Sequence, residues 1–328
     1  MFWIPIFIGM TEAIMINFFK NKKILLTGGA GFVGGHVLKE LIKQGADKEN
    51  IFIPRSREND LRTVDECLKK TKGIDIVIHL AGHVGGIGYN RENPGFLFYD
   101  NMIMGVNLIE AARVNKIKKF VQVGTICSYP KFTPIPFREE DLWNGYPEET
   151  NAPYGLAKKA LLVMIQAYRA QYNFPGIYLL PVNMYGPGDN FDPKSSHVIA
   201  ALIKKIYDAN KGDKKEIAVW GDGSATREFF YVEDAARAIV LATAQYEKGE
   251  PVNIGAGFEI SIKELVDKLV ELMDFKGKIV WDKTKPNGQP RRCLDTTKAE
   301  NEFGFKATTK FDEGLKKTVE WYEKHPFI

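Results

Sequence analysis

Apolar residues recur along this chain in two alternating rhythms. Short, nearly unbroken apolar runs stand at 23–27, 51–53, 74–80, 120–123 and 177–180, lengths that suit buried strands better than helices. Between most of them the apolar positions spread to helical spacing, as in Val37, Leu38, Leu41 and Ile42, and again over 101–114 and 154–172. Such alternation predicts an α/β fold, a doubly wound parallel sheet with helices on both faces and with ligands gathered at the carboxyl ends of the strands. Beyond Tyr185-Gly186-Pro187-Gly188 the alternation weakens to a helix near 198–209, a strand at 217–220 and a helix at 233–244. The run 252–254 is expected back in the main sheet, and helices at 262–273 and 311–322 in a smaller lobe. The organisation expected is an N-terminal extension over 1–20, a sheet domain over 21–185 completed by about 228–256, and a smaller lobe from 186–227 and 257–328.

Composition narrows the class. A chain of 328 residues with 45% hydrophobic and 26% charged content buries a full core. The formal charge of +4 is scattered, and no arginine-rich run interleaves with aromatics, so nucleic acid is not an expected partner. Cys67, Cys127 and Cys293 are odd in number and lack metal-ligand spacing, which argues for a reducing compartment, no disulfide framework and no metal. The apolar start, 1–19, is broken by Glu12, lacks a basic leader and a small-residue cleavage site, and is too short to span a bilayer comfortably. An extended start or a surface-packed tail is expected there, with an interfacial anchor as the alternative, no membrane partner and a cytoplasmic location.

Two motifs carry chemistry. Directly after the first apolar run comes Gly28-Gly29-Ala30-Gly31-Phe32-Val33-Gly34, and a helical pattern follows it. In a strand–turn–helix unit Gly28 permits the tight turn, Gly31 lets backbone approach a pyrophosphate and Gly34 allows helix to pack on strand, while the helix N-terminus offers N–H donors to the anion. Further on, Tyr154 and Lys158 stand four apart on one helix, so an ammonium can favour the phenolate and make tyrosine a usable proton donor or acceptor. Thr125 and Cys127 arrive at the end of the fourth apolar run. His36, His79 and His325 are expected in structural roles, whereas His83, in a glycine-rich loop after the third strand, is a candidate for the wall of a ligand pocket.

With TGGAGFVG, the Thr125, Tyr154, Lys158 set and the segment 181–187, the chain resembles the extended short-chain dehydrogenase/reductase family from about residue 23 to near its end. The resemblance implies that Tyr154 exchanges a proton with a carbonyl or hydroxyl, that Lys158 lowers its pKa and holds the nicotinamide ribose, and that Thr125 bonds the substrate oxygen. It also places a dinucleotide along Gly28, Gly31, Phe32, Val33 and Gly34, the adenine pair Asp60 and Leu61, Leu80, Ala81, Gly82, Val123, Pro181, Asn183, Met184 and His197. Less common stretches, His83-Val84-Gly85-Gly86-Ile87, 125–131, 196–199 and Trp220-Gly221-Asp222-Gly223, resemble the GDP-L-fucose synthase branch. That branch epimerises a GDP-4-keto-6-deoxymannose and then reduces its ketone. By this resemblance Cys127 is the base and His197 the acid of epimerisation, and Lys205, Trp220, Arg227 and Asn287 hold the nucleotide sugar. Protons beside a ketone are acidic once the enolate is stabilised, so one group must remove them and another return them.

At the end of the second strand Arg55 and Arg57 stand where an acidic residue would bind a ribose diol, which favours NADP over NAD. The chain departs from the branch at Lys205, where arginine is usual, at Asn287, where aspartate is usual, and in its GGAGFVG turn. Rival readings are a GDP-mannose 3,5-epimerase, an enzyme of a GDP-4-keto-heptose, and, from another class, a non-catalytic dinucleotide-binding module. A homodimer through two helices of the sheet domain is expected from the family.

Overall fold

The computed structural model describes residues 18–285 and 288–326. Residues 1–17 of the expected extension, and Asn287, lie outside that set. Six strands form one sheet: β1 (Ile24–Thr27), β2 (Ile51–Phe52), β3 (Ile76–His79), β4 (Lys119–Val123), β5 (Gly176–Pro181) and β10 (Val252–Ile254), in the spatial order β2-β1-β3-β4-β5-β10. Every pairing in it is parallel. Strands β1, β3, β4, β5 and β10 are buried throughout, as the unbroken apolar runs require of strands covered on both faces. The order reverses between β1 and β3, where open α/β sheets build their ligand crevice at the carboxyl ends.

The helices that matter for function are α1 (Phe32–Lys43), α3 (Ile87–Glu92), α4 (Pro94–Val114) and α5 (Ala152–Tyr172). Helix α1 follows the glycine turn directly. Helix α4 begins seven residues earlier than its apolar pattern suggests, because Pro94 at the first helical turn starts it without needing an N–H partner. Helix α5 has Pro153 in its first turn and ends where Asn173 turns left-handed, φ +52°. Helices α4 and α5 pack closely enough that a Cβ on Gly105 would lie 2.2 Å from the Leu161 side chain.

A second, smaller core gathers α6 (Val198–Lys211), the parallel pair β7 (Glu216–Trp220) and β12 (Lys278–Asp282), α8 (Ile262–Leu272) and α10 (Phe311–Lys324). One expected boundary needs correction. Leu294, Ala299, Phe303 and Phe305, assigned to the smaller lobe, instead pack in the main core beside Phe230 and α7 (Val232–Gln245). The physical reason is a fully buried carboxylate: Glu228 accepts N–H bonds from Ala256 at 2.6 Å, Gly257 at 2.8 Å and Leu294 at 2.7 Å, pinning the three segments together. Among the described residues no helix is long and apolar enough to cross a membrane.

Candidate active site

A cavity of about 1070 Å³ lies between the carboxyl ends of the sheet and the smaller lobe. Its floor is the glycine turn. Gly28 has φ +72°, a conformation that side chains resist, and a Cβ on Gly34 would sit 2.1 Å from the Gly28 carbonyl oxygen. Gly31 leads into α1 with no side-chain cap, so N–H groups of the first turn remain for an anion. Gly28, Gly31, Phe32, Val33, Gly34, Leu80, Ala81 and Gly82 line one end, and Pro181, Asn183 and Met184 border it. This cradle fits a dinucleotide.

The catalytic candidates converge because α5 rides directly on the turn that follows β4. A Cβ on Gly155 would lie 2.2 Å from the Cys127 carbonyl oxygen, and Ser128 Oγ donates to the Gly155 carbonyl at 3.0 Å. Glycine next to Tyr154 therefore brings the phenol to Thr125 and Cys127. Thr125 Oγ1 accepts the Cys127 N–H at 3.1 Å, fixing the turn, and its side chain also hydrogen-bonds Tyr154. Tyr154, only 9% exposed, lines the cavity with Thr125 and Cys127, and His197 lines it from the smaller lobe.

Electrostatics differ from the expectation drawn from spacing alone. Burial pushes the Tyr154 pKa up, the nearby Cys127 adds to the rise, and the Thr125 hydrogen bond opposes both. Lys158, 3% exposed, directs its Nζ toward Gly82, 3.2 Å from where a Cβ on that residue would stand. Burial alone lowers its pKa to about 8. Desolvation thus outweighs the neighbouring cation, and the phenol stays protonated at neutral pH. His197 is open to the cavity yet crowded by protein atoms, and that crowding lowers its pKa, leaving a neutral ring at neutral pH.

Toward the smaller lobe the cavity is basic. Lys205 Nζ donates to the Ala218 carbonyl at 2.6 Å, Trp220 is half exposed with Lys285 Nζ 5.6 Å from its ring centre, and Arg227 lines the wall. Burial brings the Arg227 pKa down to about 10, with Arg292 beside it adding to the fall and Glu148 and Glu259 opposing it. Arg292 was not singled out by sequence. Its Nη1 stands 3.8 Å from Cys127 Sγ, and its Nε donates to Gln289 Oε1 at 2.5 Å, while Gln289 Nε2 donates to the Lys131 carbonyl at 2.6 Å. No motif marks it, because its contact with Cys127 spans 165 positions.

Several expected residues sit away from the cavity. Leu61 is packed in the main core, Asp60 is paired through both oxygens to Arg62 at 2.9 Å, and Val123 is buried beneath the lining residues Gly124 and Thr125. Arg55 and Arg57 are exposed on the loop after β2. The His83 ring turns from the cavity to Asp100, 3.4 Å away, and packs edge-on against Phe96, leaving Val84 to Gly88 to form the wall. His36 Nε2 donates to the Pro187 carbonyl at 2.8 Å, and His79 Nδ1 is 2.7 Å from Thr27 Oγ1, both structural roles as expected.

Comparison with known proteins agrees with this geometry. The family model described as "NAD dependent epimerase/dehydratase family" matches residues 24–255. The chain is 39% identical over 306 residues to the probable GDP-L-fucose synthase 1 of Oryza sativa subsp. japonica, covering 92% of each chain. A solved GDP-L-fucose synthetase from Naegleria fowleri bound to NADP superposes with a TM-score of 0.83 at 26% identity, over 94% of this chain and 95% of that one. A GDP-6-OMe-4-keto-L-xylo-heptose reductase from C. jejuni superposes with a TM-score of 0.86 at 26% identity, over 93% and 98% of the two chains. By the family model and the relatives at this identity, as by its parallel sheet and glycine turn, the chain belongs to the NAD dependent epimerase/dehydratase family.

Proposed function

We propose that the protein converts a GDP-4-keto-6-deoxy-D-mannose-type sugar to GDP-L-fucose, epimerising at the carbons beside the ketone and reducing the ketone with NADPH. The observation that carries this reading is the meeting of Thr125, Cys127 and Tyr154 on one cavity wall, with His197 facing in from the other lobe. The GDP-L-fucose synthases among its relatives support the substrate class.

Each side chain has a task. The Cys127 thiolate, with the Arg292 guanidinium against it, takes a proton from carbon beside the ketone, and the electron pair moves onto the ketone oxygen. Thr125 and Tyr154 hydrogen-bond that oxygen while it is an enolate. His197 returns a proton from the opposite face; its imidazolium form is scarce at neutral pH but a strong acid, because the crowding of protein atoms around it lowers the pKa. For reduction, the protonated Tyr154 donates its phenolic proton to the ketone oxygen. The glycine turn would hold NADPH and Lys158 would hold its ribose, and the bound cofactor would supply the hydride. Arg55 and Arg57 give the loop after β2 the charge that suits a 2′-phosphate. Arg227, Lys205 and Trp220, joined by Asn287, take the GDP diphosphate and base, Arg227 as the phosphate fork.

Purified protein given GDP-4-keto-6-deoxymannose and NADPH should deplete the reduced-nicotinamide absorbance in proportion to product. Unchanged absorbance would leave the epimerase reading and remove the reductase. The heptose-reductase likeness makes a 4-keto-heptose sugar the competing substrate to include in the same assay.

A further inference from the structure

We infer that Gly86, on the opposite lobe, is the residue that positions His197 for proton return. The inference rests on the reading of His197 as the epimerisation acid. Gly86 caps α3 in extended backbone, φ −68° and ψ 173°, so nothing about its own conformation calls for glycine. Its surroundings do. The Gly86 N–H donates to the Ser195 carbonyl at 3.0 Å, and a Cβ there would lie 2.6 Å from the Ser196 carbonyl oxygen and 3.9 Å from that of Ser195. A Cβ that close to backbone forces one of the two loops to move.

The loop it meets ends on the acid. His197 directly follows Ser196 and caps α6, its carbonyl accepting the Ala201 N–H at 2.9 Å. On its own side the segment is tied by a turn in which the Asp192 carbonyl accepts from Ser195 at 3.1 Å and from Ser196 at 2.8 Å. Gly86 supplies the tie from the cofactor-binding lobe, and Gly86 and His197 line the same cavity. The distance between the acid and the face of the enolate is therefore set by a backbone contact between lobes. A shift of ångström scale in such a contact costs on the order of 10²-fold in rate.

The chemistry gives a readout that mere loosening of the fold does not move. Cys127 removes a proton, the bonding pair forms the enolate, and His197 protonates the far face, so exchange with solvent is coupled to inversion. With the imidazole displaced, the Cys127 thiol trades the proton it took for a deuteron of the solvent and returns that to the near face of the enolate, so exchange proceeds without inversion. The experiment uses the full chain with NADP⁺ and a GDP-4-keto-6-deoxy sugar in D₂O, following deuterium uptake and epimer ratio by NMR. Gly86→Ala should keep exchange within about threefold of the parent while inversion falls by about tenfold or more. Ser196→Gly, which frees the same segment from its other side, should uncouple the two in the same sense and serves if the first variant misfolds. Gly95→Ala is the matched control, since nothing lies within 4 Å of the added carbon and the residue is outside the cavity. Parent-like ratios of inversion to exchange in Gly86→Ala, or in Ser196→Gly, overturn the inference alone. Absence of both exchange and inversion in the parent protein overturns the substrate reading and this inference with it.

Discussion

At the scale of single residues the site is governed by desolvation more than by charge pairs. Spacing alone suggested that Lys158 would acidify Tyr154, yet the structure buries both and aims the ammonium at Gly82. A protonated phenol suits reduction, in which it gives up its proton. Tyr154→Phe should lower ketone reduction by about 10²-fold or more while NADPH affinity, read by fluorescence titration, stays nearly intact. Cys127→Ser should sharply reduce deuterium uptake at the carbons beside the ketone but spare reduction of a keto sugar that needs no epimerisation; undiminished uptake would make Cys127 a packing residue. The buried lysine gives a pH test. Its folded pKa of about 8 lies below the ordinary 10.5, so between those values the unfolded chain binds more protons and this group's contribution to stability rises with pH. Function runs the other way, because the charge that holds a ribose disappears as pH climbs through about 8. NADPH affinity should therefore decline above that pH by up to on the order of tenfold per unit, and a flat profile to pH 9.5 would show that the charge of Lys158 does not hold the cofactor.

At the scale of elements, local pattern and close approach tell different parts of the story. The strands and most helices were legible because unbroken apolar runs and helical spacing report burial directly, and β1, β4, β5 and β10 fall within a residue or two of expectation. The start of α4 was hidden behind Pro94 and Gly95, residues that read as a loop rather than as the opening of a helix. What sequence could not show is which distant segments touch. Arg292 reaches Cys127, Glu228 gathers Gly257 and Leu294, and Gly86 meets Ser196, contacts that leave no periodic trace. The glycines of the dinucleotide turn were legible as a motif, but Gly155 gained its meaning only from the 2.2 Å that a Cβ would leave to Cys127. Glu228→Ala leaves three N–H groups without their acceptor, the one on Leu294 buried, and should cost about 3 kcal/mol in denaturant unfolding, with Glu228→Gln milder because one acceptor oxygen remains. Equal stability of parent and Ala variant would deny the carboxylate its role as the pin.

At the scale of the whole molecule, one cavity joins the two cores, so cofactor and sugar stabilise the protein together. NADPH at 100 times its dissociation constant should add about 2.7 kcal/mol to stability, and NADH at the same concentration clearly less if Arg55 and Arg57 read the 2′-phosphate. Equal protection by both would remove those arginines from cofactor choice. A dimer formed through two helices of the sheet domain would cover Phe98, Tyr99 and Val163, which α4 and α5 leave exposed. Light scattering should give twice the chain mass, and Tyr99→Lys with Val163→Asp should reduce it to the monomer. The claim on which all of this turns is that proton exchange and hydride acceptance occur on one sugar in one cavity. Mass spectrometry and NMR of the product formed in D₂O from GDP-4-keto-6-deoxymannose and NADPH test it most directly. The account predicts GDP-L-fucose carrying deuterium at both carbons flanking the former ketone, with one NADPH consumed per product; a reduced product without that deuterium, or an epimerised product with NADPH untouched, would contradict it.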